Sequence, residues 1–93
     1  MTIAAQFDVY RDRNGRISRL PAKHSKKIAL CMEMLNEVEF GTEYSEPEIN
    51  ELFGAIVDDF AFVRRTLVDL GYLVRDAYGI SYRRSEPVPL ADN

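Results

Sequence analysis

The chain has 93 residues, 46% of them apolar and 29% charged, with a net charge of −3. That is ordinary composition for one globular domain, and a chain of this size buries somewhat more than ~60% of its unfolded surface. No apolar run approaches the ~20 residues that cross a bilayer, and Met1–Tyr10 lacks the basic start and apolar block of a signal peptide. The single cysteine, Cys31, excludes an internal disulfide framework, so the expectation is a cytoplasmic protein with no membrane partner.

Charge is unevenly placed. Residues 11–27 hold seven cations against Asp12, a local +6, whereas residues 28–93 hold five arginines against thirteen carboxylates, a local −8. A basic arm on an acidic body fits contact with nucleic acid or an acidic partner. It fits equally well an arm folded against its own acidic domain.

In chain order, Phe7 to Tyr10 alternates apolar and polar residues, and Asn14-Gly15 is a strong hairpin-turn dipeptide. Residues 1–20 therefore read as a basic extended arm or short hairpin, with Ile17 facing inward. Pro21 or Ser25 marks a helix start. Ile28, Cys31, Met32, Leu35 and Val38 then share one stripe of a helix over roughly residues 22–38. Leu30 and Met34 lie off that stripe and need a cover, supplied by Phe7, Val9 or Ile17 of the arm or by a second protomer.

Gly41-Thr42-Glu43-Tyr44 suits a connection or short strand. Ser45-Glu46-Pro47-Glu48 is a capping box that opens a second helix with Ile49, Leu52, Phe53 and Ile56 inward. Gly54 costs that helix up to ~1 kcal/mol relative to alanine, so the helix should be short. Asp58 or Asp59 caps a third helix, Phe60, Val63, Leu67 and Leu70 form its stripe, and Gly71 stops it.

Tyr72–Arg75 and Ile80–Arg84 are rich in strand formers, and Asp76–Gly79 makes the turn between them. Residues 85–93, with two prolines, read as a loose tail. The class is α+β. Three helices followed by a hairpin over residues 21–84 match a winged helix-turn-helix, whose third helix is the usual recognition element.

The chain also resembles an uncharacterised bacterial family, domain of unknown function 2087, over roughly residues 7–84. The resemblance rests on Asn14-Gly15-Arg16, on Leu20-Pro21-Ala22-Lys23, on Gly41 to Asn50, on Asp58-Asp59-Phe60-Ala61 and on Arg64 to Asp69. Gly71, Leu73, Arg75, Gly79 and Tyr82 complete it. It implies a place beside helix-turn-helix domains in proteins classed as transcription regulators, with no established chemistry. The sequence given carries no second DNA-binding domain of that kind.

Catalysis is not expected. One histidine, one cysteine and no Gly-rich phosphate loop do not make a reactive constellation, and neither a metal nor a cofactor is expected. His24 reads as packing at the edge of the first helix's stripe, and Cys31 as a small core residue. Asp58 and Asp59 are neighbours that point apart, and capping accounts for them.

Two binding readings stay open. For DNA, Arg65 reads a base, Thr66 touches a base or phosphate, and Arg75, Arg83 and Arg84 set the wing on phosphates. Lys23, Lys26 and Lys27 then hold the adjoining backbone. Arg64 is expected at the core edge, paired with Glu51 or Asp58. For a protein interaction or homodimer, Phe62 exposed on the third helix and the Leu30/Met34 face supply the contact. A pI near 5.1 and the carboxylates of Asp59 and Asp69 favour the second reading.

Overall fold

The computed structural model describes residues 3–78 and 81–86. A 3₁₀ helix spans Ala5–Tyr10, followed by α1 (His24–Leu35), β1 (Glu43–Ser45), α2 (Glu46–Gly54), α3 (Phe60–Asp69), β2 (Leu73–Arg75) and β3 (Ser81–Arg84). The three strands form one antiparallel sheet in the order β1-β3-β2. The fold is thus mixed α+β, with α3 packed against α1, α2 and β2. Among the described residues no helix is long and apolar enough to cross a membrane.

Local chemistry sets the element ends. The Ser45 hydroxyl accepts from the Glu48 N–H at 3.2 Å, and the Glu48 carboxylate accepts from the Ser45 N–H at 2.8 Å. This reciprocal pair satisfies donors that a free helix start would leave to water. Asp59 caps α3 by accepting from the Phe62 N–H at 3.2 Å. Gly71, at φ 87°, ends it in the left-handed region where a side chain would be strained. Gly54 closes α2 rather than interrupting it, and a Cβ there would stand 3.3 Å from the Phe60 ring. The close approach of α3 accounts for the glycine.

The amino-terminal arm differs from the extended reading. Phe7 to Tyr10 lies in a 3₁₀ helix, whose period of three puts Phe7 and Tyr10 on one side: Phe7 is buried and Tyr10 half-buried, while Val9 is 64% exposed. The Asn14-Gly15 turn does form, with Gly15 at φ 85°, and Arg11 and Ile17 bridge across it. Ile17 then clips onto the α2–α3 connection. Its N–H donates to the Ile56 carbonyl at 2.7 Å, and its carbonyl accepts from the Asp58 N–H at 2.9 Å. Arg16 reinforces this clip by donating to the Gly54 carbonyl at 2.6 Å and pairing with Asp58 at 2.7 Å.

One core cluster runs from Ile3, Phe7 and Ile17 through the helices to Leu73 and Tyr82. The arm is therefore part of the domain core, not a separate segment. Leu30 and Met34 are 0% exposed inside this cluster, which corrects their expected role as an interaction face. The arm touches α1 where the Ala4 N–H donates to Glu33 Oε1 at 2.9 Å. Leu70, expected in the buried stripe, is 39% exposed beyond the last turn of α3. His24, expected to pack at a stripe edge, is exposed as the first residue of α1. The turn residues Gly79 and Ile80 and most of the tail lie outside the described residues.

Candidate functional site

The hairpin decides which arginines can act together. Leu73 pairs with Arg84, Val74 with Arg83 and Arg75 with Tyr82. Side chains alternate along a strand, and directly paired residues share a face. Leu73, Arg75, Tyr82 and Arg84 therefore face the helices, because Leu73 and Tyr82 are buried. Val74 and Arg83 face away, and Arg83 lies opposite Glu43 of β1. Arg75, Arg83 and Arg84, expected to act as one set, are split between the two faces of the sheet.

Arg84 points into the molecule. Its Nη1 donates to the carbonyls of Leu35 at 3.3 Å and Val38 at 3.1 Å, at the end of α1, and its guanidinium lies 4.2 Å from the Phe40 ring centroid. A cation there complements the negative end of the helix dipole. That work is structural, and it corrects the expected phosphate contact.

Arg75 joins Arg64, Arg65, Val68, Asp69 and Tyr82 around a cleft of about 240 Å³ between α3 and the sheet. Residues 64, 65, 68 and 69 lie on one helical face one turn apart. Arg64 is half-buried, and its guanidinium donates to the side-chain carbonyl of Asn50 on α2. The expected carboxylate partner is thus an uncharged amide, so Arg64 is oriented without being neutralised. Arg65 is exposed at the rim.

The Tyr82 hydroxyl donates to Glu46 Oε1 at 2.6 Å. Burial is the main cause that pushes this phenol above its ordinary value, the Glu46 bond adds to it, and a bond with Arg75 pulls the other way. Arg75 stands beside Tyr82, its partner across the hairpin, in the same cleft. Arg11 pairs with Asp8 and Arg16 with Asp58, both away from this cleft. Three guanidiniums against the one lining carboxylate, Asp69, make the cleft a natural seat for an anion.

The remaining expected site residues do not converge there. Thr66 is half-buried, and its hydroxyl stands beside the Cys31 thiol on α1, where it pulls that thiol's pKa down against the larger effect of burial. Burial pushes the Cys31 thiol up to about 11, which keeps it protonated and unreactive at neutral pH. Phe62 is half-buried against the core, with Lys27 Nζ 6.0 Å from its ring centroid, and does not stand free as a contact residue. Lys23 and Lys26 are exposed at the start of α1 and do not line the cleft. Arg64, which the sequence places at the core edge and not at a ligand, lines the cleft beside Arg65 and Arg75. Strand alternation was the signal that separates Arg75 from Arg83.

A bacterial family described as an uncharacterized protein conserved in bacteria, DUF2087, matches residues 16–84. The chain belongs to this family. Membership in DUF2087 spans α1 to β3 and therefore every residue of the arginine cleft. It assigns no activity. No curated protein and no solved structure matches the chain.

Proposed function

We propose that this DUF2087 chain is a winged helix-turn-helix domain that binds duplex DNA through α3 and the β2–β3 hairpin, in the context of transcription regulation. The observation that carries the reading is the convergence of Arg64, Arg65 and Arg75, from a helix and a strand, on one cleft. Guanidiniums in that arrangement match phosphate oxygens in geometry and charge. The order helix, strand, helix, helix, strand, strand, with the first strand pairing to the last, is that of a winged helix and supports the same reading. In it Arg65, exposed on α3, reaches base edges, while Arg64 and Arg75 hold the backbone beside it.

Cys31, held as a thiol under cover, supports a binding domain over an enzyme. Titration of a labelled random-sequence duplex at several salt concentrations tests the proposal. Affinity should fall steeply as salt rises. Arg75→Ala should lower the log–log slope by about 1, and Arg65→Ala should cost about 1–3 kcal/mol. Undetectable binding at low salt, or binding indifferent to both changes, refutes it.

A further inference from the structure

A second surface carries the opposite charge. Glu37, beyond the end of α1, and Glu48 and Glu51 of α2 surround an open groove of about 570 Å³ floored by Tyr44, Leu52 and Ile56. No lysine or arginine lines it, and it shares no residue with the arginine cleft. Residues 48, 51, 52 and 55 recur at helical spacing, so the groove runs along the outer ridge of α2, while Ile49 and Phe53 hold the inner face in the core.

The chain's own basic arm does not fill this groove. Arg16 is engaged by Gly54 and Asp58, and Arg11 by Asp8 and Gly15. Arg19 donates to the Val9 carbonyl and sits over the Tyr10 ring. The three carboxylates at the groove stand around the apolar side chains of Tyr44, Leu52 and Ile56, which complements an apolar contact flanked by cations. A helix with an apolar stripe and flanking lysines or arginines would bury its stripe on Leu52 and Ile56 and meet Glu37, Glu48 and Glu51 at the rim.

We propose that this α2 groove is a docking site for a basic amphipathic helix of a partner protein. The acidic rim selects the sign of the partner and steers its approach, and the apolar floor supplies the buried contact. A second copy of this chain is a poorer occupant. Its exposed lysines, Lys23 and Lys26, lie at the start of α1, and the apolar residues of that helix, Leu30, Cys31, Met34 and Leu35, are already buried in its own core, so α1 has no free stripe of them to seat. The inference does not rest on DNA binding.

The probe is a labelled, lysine-rich helical peptide of about sixteen residues, roughly 24 Å long, with leucines at i, i+3, i+4 and i+7. Its twin carries glutamate in place of every lysine. The full chain is titrated by fluorescence anisotropy, and the contact is mapped by amide chemical shifts. The expected result is binding of the lysine peptide alone, with shifts centred on Glu51, Leu52, Ala55 and Ile56. Glu37→Lys with Glu51→Lys, both exposed or half-exposed positions, should weaken it by about tenfold while the amide spectrum stays that of a folded chain.

Equal binding of the acidic twin, shifts centred elsewhere, or indifference to the double reversal would overturn the proposal. So would absence of binding, or concentration-dependent shifts of the same amides without peptide, which would make a second copy the occupant.

Discussion

Replacing Arg84 by methionine separates a structural arginine from a phosphate-binding one. The change keeps the apolar stem and removes the guanidinium. One nitrogen, Nη1, serves both the Leu35 and Val38 carbonyls, at 3.3 and 3.1 Å, so the two contacts count as about one charged hydrogen bond, worth about 2 kcal/mol. The guanidinium over Phe40 adds about 0.5 kcal/mol, since that ring is 55% exposed. Against these stands Nε, buried with no partner among the described residues, whose removal returns about 1 kcal/mol.

The balance is a loss of about 1–2 kcal/mol, or a Tm lower by roughly 4–16 °C for a domain of this size. Urea unfolding followed by circular dichroism should show a lower midpoint with an unchanged slope. Arg83→Met, on the outer face, should stay within about 0.5 kcal/mol of the parent. Duplex affinity, measured where both proteins are folded, should be the same for Arg84→Met and the parent. An Arg84→Met chain as stable as the parent, or a stable one that has lost duplex binding, would refute the assignment.

Ser45→Ala should cost about 1 kcal/mol in urea unfolding, because it removes one half of the α2 capping box. The Ser45 backbone bond is the chief reason the Glu48 carboxyl lies below its ordinary 4.5, so its contribution is present above that pH and lost as pH falls through the lowered value. Glu48→Gln should flatten that acid limb. The Cys31 thiol, raised by burial from 9.0 to about 11, holds its proton more tightly in the folded chain. Its contribution is complete below pH 9 and declines by about 2–3 kcal/mol as pH rises toward 11. Cys31→Ala should reduce that alkaline slope and leave the share from Tyr82, which titrates in the same direction. Leu30→Ala should cost about 2–5 kcal/mol with an unfolding midpoint independent of protein concentration; a concentration-dependent midpoint would restore the dimer face.

Features written in local chemistry were legible in the sequence. Ser45 with Glu48, Asp59 before Phe60, and the glycines at 15 and 71 each act within a few residues, so residue type alone signals them. What depends on a distant partner was not legible. The stripe on α1 reads as one-sided in sequence, yet Leu30 and Met34 off that stripe are buried in the same core cluster, because packing of distant segments and not local spacing decides which faces of a helix are covered. Phe7 to Tyr10 alternates in sequence, yet a 3₁₀ turn buries Phe7 and exposes Val9, and four residues are too few for the two periods to be told apart. Arg64 has the same local surroundings whether it meets a carboxylate or Asn50, and only the packing of α2 on α3 selects the amide. Arg83 and Arg84 are neighbours of one type, and a one-residue shift in register would have exchanged their roles.

Net charge is the wrong quantity for judging this domain as a binder. The sum of −3 would weigh against an anionic ligand only if charges acted over the whole molecule. At physiological ionic strength they are screened beyond ~8 Å, so a ligand responds to the groups that line its own site. In the arginine cleft the lining charges are three guanidiniums and Asp69, with Glu46 behind the Tyr82 hydroxyl; in the α2 groove they are three carboxylates and no cation. Helix α2 belongs to both. Asn50 orients Arg64 and Glu46 receives Tyr82, while Glu51 and Leu52 face the groove. Separation of the two signs on either side of one short helix lets a chain of pI 5.1 present a cationic and an anionic site together. Any displacement of α2 by an occupant of one site acts directly on side chains that position the other.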